Sequence, residues 1–184
     1  MKQFIVSAIL VSFVLVLTVP MRAEDKVVHK YVGVTICAPC HKAEKAGKQF
    51  DIWKGSKHAD AFNALTTPKA DELAKAKGLK TAAKESPECL KCHVTGYGED
   101  AKVFAASFKQ TDGVQCETCH GAGSDYKTMS LMKDKDKAIA AGLTIFKDDP
   151  KLCVKCHNEG SPTHKEFKYE DAWGKIKHPM PKKG

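Results

Sequence analysis

Large apolar side chains are scarce after residue 23 of this sequence. Ala and Lys dominate there, while Phe, Ile, Leu and Val are widely spaced. A polypeptide of that make-up has difficulty burying enough apolar surface to offset the entropy of ordering its backbone. A core made of side chains alone is therefore not expected, and something else should fill the interior. No strand pattern of any length is present. No Arg-rich patch alternates with aromatics, and charged tracts such as Lys133-Asp134-Lys135-Asp136-Lys137 mix both signs. Such tracts read as solvated faces, so nucleic acid is not an expected partner. No cysteine is left without a near neighbour, and none follows the apolar N-terminal run, so a lipid anchor at that point has no support.

The first 23 residues are the exception in hydropathy. Lys2 gives a positive start, Ile5 to Val19 is almost wholly apolar, Pro20 breaks the run, and Met21-Arg22-Ala23 ends on a small residue. Charge, apolar run and small residue, in that order, form the secretory signal pattern. Residues 1–23 are expected to be a cleaved signal peptide, and 24–184 a single exported domain in the periplasm. An uncleaved anchor is the alternative, and membrane association is expected only in that case. The run is short for a bilayer, which needs about 20 apolar residues. Removing the segment takes away Lys2 and Arg22 but no acid, which leaves 28 basic against 22 acidic residues and a net charge of +6.

The eight cysteines form four pairs of one spacing, each followed at once by histidine. They are Cys37-Ala38-Pro39-Cys40-His41, Cys89-Leu90-Lys91-Cys92-His93, Cys116-Glu117-Thr118-Cys119-His120 and Cys153-Val154-Lys155-Cys156-His157. Disulfides, zinc sites or a redox dithiol also use paired cysteines, but none of them needs a histidine after every second one. C-x-x-C-H is the attachment motif for c-type haem. Two thiols at a short fixed separation add to the two vinyl groups of one porphyrin. The adjacent imidazole then lies beneath the ring and binds iron from the proximal side. Four haems are thus expected, with His41, His93, His120 and His157 as proximal ligands.

Four haems also answer the shortage of core, since each is a large apolar disc. With propionates ionised they bring the net charge to about +2 oxidised and about −2 reduced. The basic sequence therefore says little about the charge of a partner.

Four histidines lie outside the motifs: His29, His58, His164 and His178. Imidazole on both sides of an iron closes it and suits it to electron transfer. Met129, Met132 and Met180 are weaker candidates, since methionine more often fills gaps in a core. A helix is expected over Gln49 to Leu65, with His58, Phe62 and Leu65 on one face. Others are expected over Lys69 to Lys77 after Thr67-Pro68, as a peripheral lid or strut, over Ser130 to Ala141 before Gly142, and over Tyr169 to Lys177 before His178. Gly96, Gly98, Gly113, Gly121 and Gly123 allow tight turns around the middle two motifs. The expected fold is mainly α with extensive loops, a multihaem cytochrome c fold organised around four covalently bound haems.

Three stretches carry a family likeness. They are Trp53 with Ser56-Lys57-His58-Ala59, then Cys89 to Gly98 (CLKCHVTGYG), and Gly113 to Gly123 (GVQCETCHGAG). Together they resemble the tetrahaem cytochrome c-554-like proteins. The resemblance implies a mainly helical periplasmic protein whose closely packed haems form an electron path. It also implies that His58 is an axial ligand, and that the haem bound through His93 is five-coordinate and high-spin. One spare histidine is then unbound; His164, in the loop after Gly160-Ser161-Pro162-Thr163, is the choice, and His29 and His178 remain distal ligands.

Two functions fit these expectations. One is an electron carrier passing electrons between redox partner proteins. The other is a small-molecule redox enzyme handling nitric oxide, nitrite or hydroxylamine at an open iron, that of His93. The number of imidazoles on each iron separates them. Tyr97 and Tyr126 are the candidate side chains near an open site, against the plainer reading of packing on a porphyrin.

Overall fold

Three of the four Cys-His motifs end short helices. The computed structural model describes residues 28–146 and 149–180, and its elements are mainly helical. Helix α1 spans Val34–His41, and further along the chain α5 spans Pro87–His93 and α6 spans Cys116–His120. The fourth motif forms a 3-10 turn, Cys153–Lys155, continued by a bond from His157 N to Cys153 O of 2.9 Å. One helical turn suits the motif because residues three apart share a face, so both thiols point the same way and the histidine lies beside them.

Between the first two motifs lie α2 (Gln49–Lys54), α3 (Ala61–Ala64) and α4 (Pro68–Ala76). The single helix expected over Gln49 to Leu65 is therefore broken, and His58 occupies the turn in the middle rather than a helical face. Tertiary bonds override the periodicity. Val114 N donates to His58 O at 3.0 Å, and Trp53 Nε1 donates to Val114 O at 2.8 Å. Gly113 makes this possible: its φ is +73°, and a Cβ there would lie 2.6 Å from His58 O.

Helix α4 starts as its sequence predicts, with Pro68 in its first turn and the Thr67 side chain accepting from Ala70 N. It is more than a strut. Leu65, Ala74 and Ala83 form a small buried cluster against which Ala70, Leu79, Cys89 and Leu90 pack. Asp71 Oδ1 accepts from Ala83 N at 2.8 Å and fastens the following turn to it. The second motif is thereby seated on the Ala-rich segment.

The helix expected over Ser130 to Ala141 is two helices, α7 (Met129–Met132) and α8 (Lys135–Ala140). Asp134 stands between them in an extended conformation and caps α8 by accepting from Lys137 N. Helix α9 (Tyr169–Ile176) runs as expected and delivers His178 just past its end. Its Trp173 packs on Phe146 with ring centroids 5.0 Å apart. Extended pairing among the described residues is limited to one isolated parallel bridge, Tyr31 with Phe104.

A buried polar staple joins the N-terminal stretch to the third motif. Glu117, 2% exposed, accepts from Val32 N at 2.8 Å, Gly33 N at 2.8 Å and Gly123 N at 2.7 Å. Gln115 accepts from Val34 N at 2.8 Å and donates to Lys109 O at 2.8 Å. Thr95 Oγ1 accepts from Gln115 N at 2.7 Å, which ties in the loop after the second motif. The apolar interior is correspondingly slight: eight hydrophobic residues are buried among those described, four of them Ala or Tyr. The segment expected to be a signal peptide lies outside the described residues.

Candidate haem-binding site

Two of the four motif histidines are held in one tautomer by backbone carbonyls. His93 Nδ1 lies 2.6 Å from Ala61 O and His120 Nδ1 lies 2.9 Å from Thr144 O. A carbonyl can only accept, so each Nδ1 carries the proton and each Nε2 keeps a free lone pair. His41 Nδ1 is 3.4 Å from Gln49 Oε1. Gln49 Nε2 donates to the carbonyls of Ala46 and Pro179, which fixes its amide so that Oε1 faces His41 as an acceptor. Nδ1 anchored and Nε2 free is the outer-shell arrangement of metal-binding imidazoles.

Two spare histidines face two motif histidines. The ring centroids of His58 and His157 are 6.1 Å apart, and those of His120 and His178 are 5.7 Å apart. Metal–imidazole bonds of about 2 Å on opposite sides of one ion set two ring centroids roughly 6 Å apart. Both pairs therefore have the spacing of two axial ligands. Burial lowers the proton affinity of His58, as does neighbouring His157. Burial likewise lowers that of His120, with a smaller effect from His41. Neutral imidazole is the form that binds metal.

The remaining spare histidines are placed differently. His29 is hydrogen-bonded through Nδ1 to Asp125 Oδ2. His164 is exposed, in the loop predicted for it, close enough to His157 to lower its proton affinity. Among the described residues, neither His41 nor His93 has another ring in contact. Met129 and Met180 are exposed, at 62% and 63%. Tyr126 is buried and donates to Gly121 O at 2.6 Å, so its hydroxyl secures the loop after the third motif. Tyr97 is exposed.

The cysteines from different motifs lie side by side. Cys37 lies close to Cys116, and that neighbour together with burial pushes the Cys37 thiol far up. Cys156 is pushed up to about 11 by burial and by neighbouring Cys92. Cys119 is pushed up to about 11 by burial, then by Cys153 and Cys116. Cys116, the partner of Cys37, is instead lowered by that neighbour. All eight are free, so no disulfide competes for them. Nor do three His, Cys, Asp or Glu side chains converge on a bare metal ion among the described residues. Beside the third motif a cavity of about 510 Å3 opens, walled by Cys119, Ile145, Phe146 and Leu152 among others. Paired thiols, oriented imidazoles at axial spacing and a sparse side-chain core fit porphyrin iron.

The sequence had pointed to every cysteine and histidine of this arrangement. It does not single out Gln49 or Asp125, which bond His41 and His29. Glu117, Gln115 and Thr95 lie in the family-like stretches, but nothing in the sequence distinguishes a buried polar side chain from an exposed one there.

Comparison with known proteins agrees with the geometry. The family model described as "Cytochrome c554 and c-prime" matches residues 36–121, which include the first three motifs. Cytochrome c-554 of Nitrosomonas europaea is 36% identical over 148 residues, covering 72% of this chain and 60% of that protein. The chain thus spans under two thirds of that relative's length. The structure of reduced cytochrome c554 from Nitrosomonas europaea superposes with a TM-score of 0.53 at 24% identity, over 80% of this chain and 78% of the other, and shows the same fold. No helix among the described residues is long and apolar enough to cross a membrane. The chain belongs to the tetrahaem cytochrome c-554-like family and carries covalently bound c-type haems, its eight cysteines fitting their attachment motifs.

Proposed function

We propose that this chain is a periplasmic electron relay, passing electrons through four haems between a donor and an acceptor protein. The observation that carries the reading is the pair of facing imidazoles, His58 with His157 at 6.1 Å and His120 with His178 at 5.7 Å. In this reading the cysteine pairs hold the porphyrins, and residues 24–184 form one domain around them. His41, His93, His120 and His157 bind from the proximal side. His58 closes the iron of the fourth motif and His178 that of the third, with His29 as a further distal ligand. His164 stays unbound. Porphyrin iron supplies one-electron transfer between ferric and ferrous states. The protein keeps each imidazole in place through both states, so little has to move when the charge changes. The proximity of Cys37 to Cys116 and of Cys92 to Cys156 supports short paths, because neighbouring attachment points bring the groups they carry together.

A second reading, small-molecule redox chemistry at an open iron, is favoured by one observation: no ring faces His93 among the described residues, although Ala61 O holds its Nδ1 at 2.6 Å. Electron paramagnetic resonance of the oxidised protein with spin quantitation tests both. Three low-spin irons and one high-spin iron per chain are expected, and binding of nitric oxide without turnover keeps the carrier reading. Turnover of nitric oxide, nitrite or hydroxylamine at that iron would replace it.

A further inference from the structure

We infer that Asp125 is a positioning residue for a haem ligand: it fixes His29 as the distal imidazole of the first-motif haem and strengthens it as a donor. The inference rests on the four-haem reading above. Asp125 Oδ2 is ion-paired and hydrogen-bonded to His29 Nδ1. A carboxylate only accepts, so Nδ1 carries the proton and Nε2 is left for iron. Asp125 is itself held. Its Oδ1 accepts from Ser124 Oγ at 3.0 Å. Ser124 Oγ in turn accepts from Lys30 N at 2.9 Å. The residue after His29 is thus tied to the residue before Asp125, which locks the pair in register. Gly142 lies against the ring, and a Cβ built on it would sit 3.4 Å from His29 Cε1.

The iron follows by elimination. His178 faces His120 and His58 faces His157, which leaves His41 and His93 without a facing imidazole. The strand of chain after His29 runs along the third motif, where Glu117 holds Val32 and Gly33, and Cys37 of the first motif lies close to Cys116. The second motif is instead tied to Ala61 and to the α4 cluster. A carboxylate on the far nitrogen raises imidazole basicity and so favours ferric iron. The first-motif haem is therefore held more reducing than it would be with an unpaired imidazole.

The test uses the mature protein with its haems, counted by pyridine haemochrome and checked by far-ultraviolet circular dichroism. His29→Ala should convert one low-spin iron to high-spin, and added imidazole should restore it. Asp125→Asn keeps an acceptor for Nδ1 but removes the charge. It should preserve every low-spin signal while moving one step of the spectroelectrochemical titration to more positive potential. An unchanged low-spin count in His29→Ala overturns the proposal at its root. A normal His29→Ala response with no potential moved in Asp125→Asn overturns the role of Asp125 and leaves His29 as a ligand. A wild-type chain with fewer than four haems would instead sink the reading beneath both.

Discussion

His93 donates through Nδ1 to the carbonyl of Ala61 at 2.6 Å, and Ala61 lies three residues after His58. One turn therefore orients the imidazole of the second motif and the imidazole that faces His157. The same turn leans on Gly113, whose φ of +73° a side chain rarely adopts and whose absent Cβ would lie 2.6 Å from His58 O. Gly113→Ala places a side chain in a backbone conformation close to glycine-only, which costs about 1–3 kcal/mol before the clash with His58 O is added. It should shift the electron paramagnetic resonance signals of the second and fourth haems together and leave the signals of the first and third in place. A uniform loss of all four would show that the turn supports the whole fold instead.

The two facing pairs can be broken separately. His58→Ala removes the imidazole opposite His157, and His178→Ala the one opposite His120. Each single variant should add one high-spin iron per chain, and the double variant two, because the pairs sit on different motifs. Methionine at either position should keep the iron low-spin and raise its potential, since a thioether stabilises ferrous iron more than imidazole does. Spin quantitation with redox titration reads both outcomes.

What could be read in advance divides along a physical line. Cys-x-x-Cys-His is local, because the thiols and imidazole serve one ring from one helical turn, so the sequence shows them complete. Helix α9 and its delivery of His178 were also local, governed by propensity over Tyr169–Ile176. The break that places His58 was not, because it depends on Val114, 56 positions away, bonding to its carbonyl. Asp134 misled in another way. Within a run of alternating Lys and Asp it reads as a surface charge, whereas its extended backbone separates α7 from α8 and its carboxylate caps α8. Facing partners, such as His120 with His178, are properties of the closed fold and have no sequence spacing that announces them.

Glu117 should matter for stability without touching iron. Its carboxylate is 2% exposed and takes three backbone N–H groups, from Val32, Gly33 and Gly123. Glu117→Ala strands those donors in a buried site. Charge-assisted bonds and unmet donors are each worth about 1–3 kcal/mol, and local relaxation recovers part, so a net cost of about 3–5 kcal/mol is expected. At roughly 2–4 °C per kcal/mol for a chain this size, the melting temperature should fall by on the order of 10 °C. Glu117→Gln retains one acceptor and should fall by less than half as much. The haem count by mass spectrometry should stay at four in both, since the flanking Cys116 and Cys119 are untouched.

The chain should have no native fold without its haems. Its buried apolar set among the described residues is Val32, Val34, Leu65, Ala74, Ala83, Val94, Tyr126 and Ala138. Full burial of a Val or Leu side chain contributes about 1.5–3 kcal/mol, and the alanines contribute less. Ordering each residue of backbone costs about 1–2 kcal/mol, so such a core cannot order more than 150 residues by itself. The one packed cluster, around Leu65, Ala74 and Ala83, seats the second motif through Cys89 and Leu90. A variant with all eight cysteines changed to serine should therefore give the far-ultraviolet circular dichroism of a largely unfolded chain and no cooperative melt. Changing one pair, Cys153 and Cys156, should cost one haem, found as the corresponding mass loss, and should loosen α9 and His58 while the Glu117 staple holds. A cooperative melt of the cysteine-free chain near the wild-type temperature would contradict the claim that haem supplies the core.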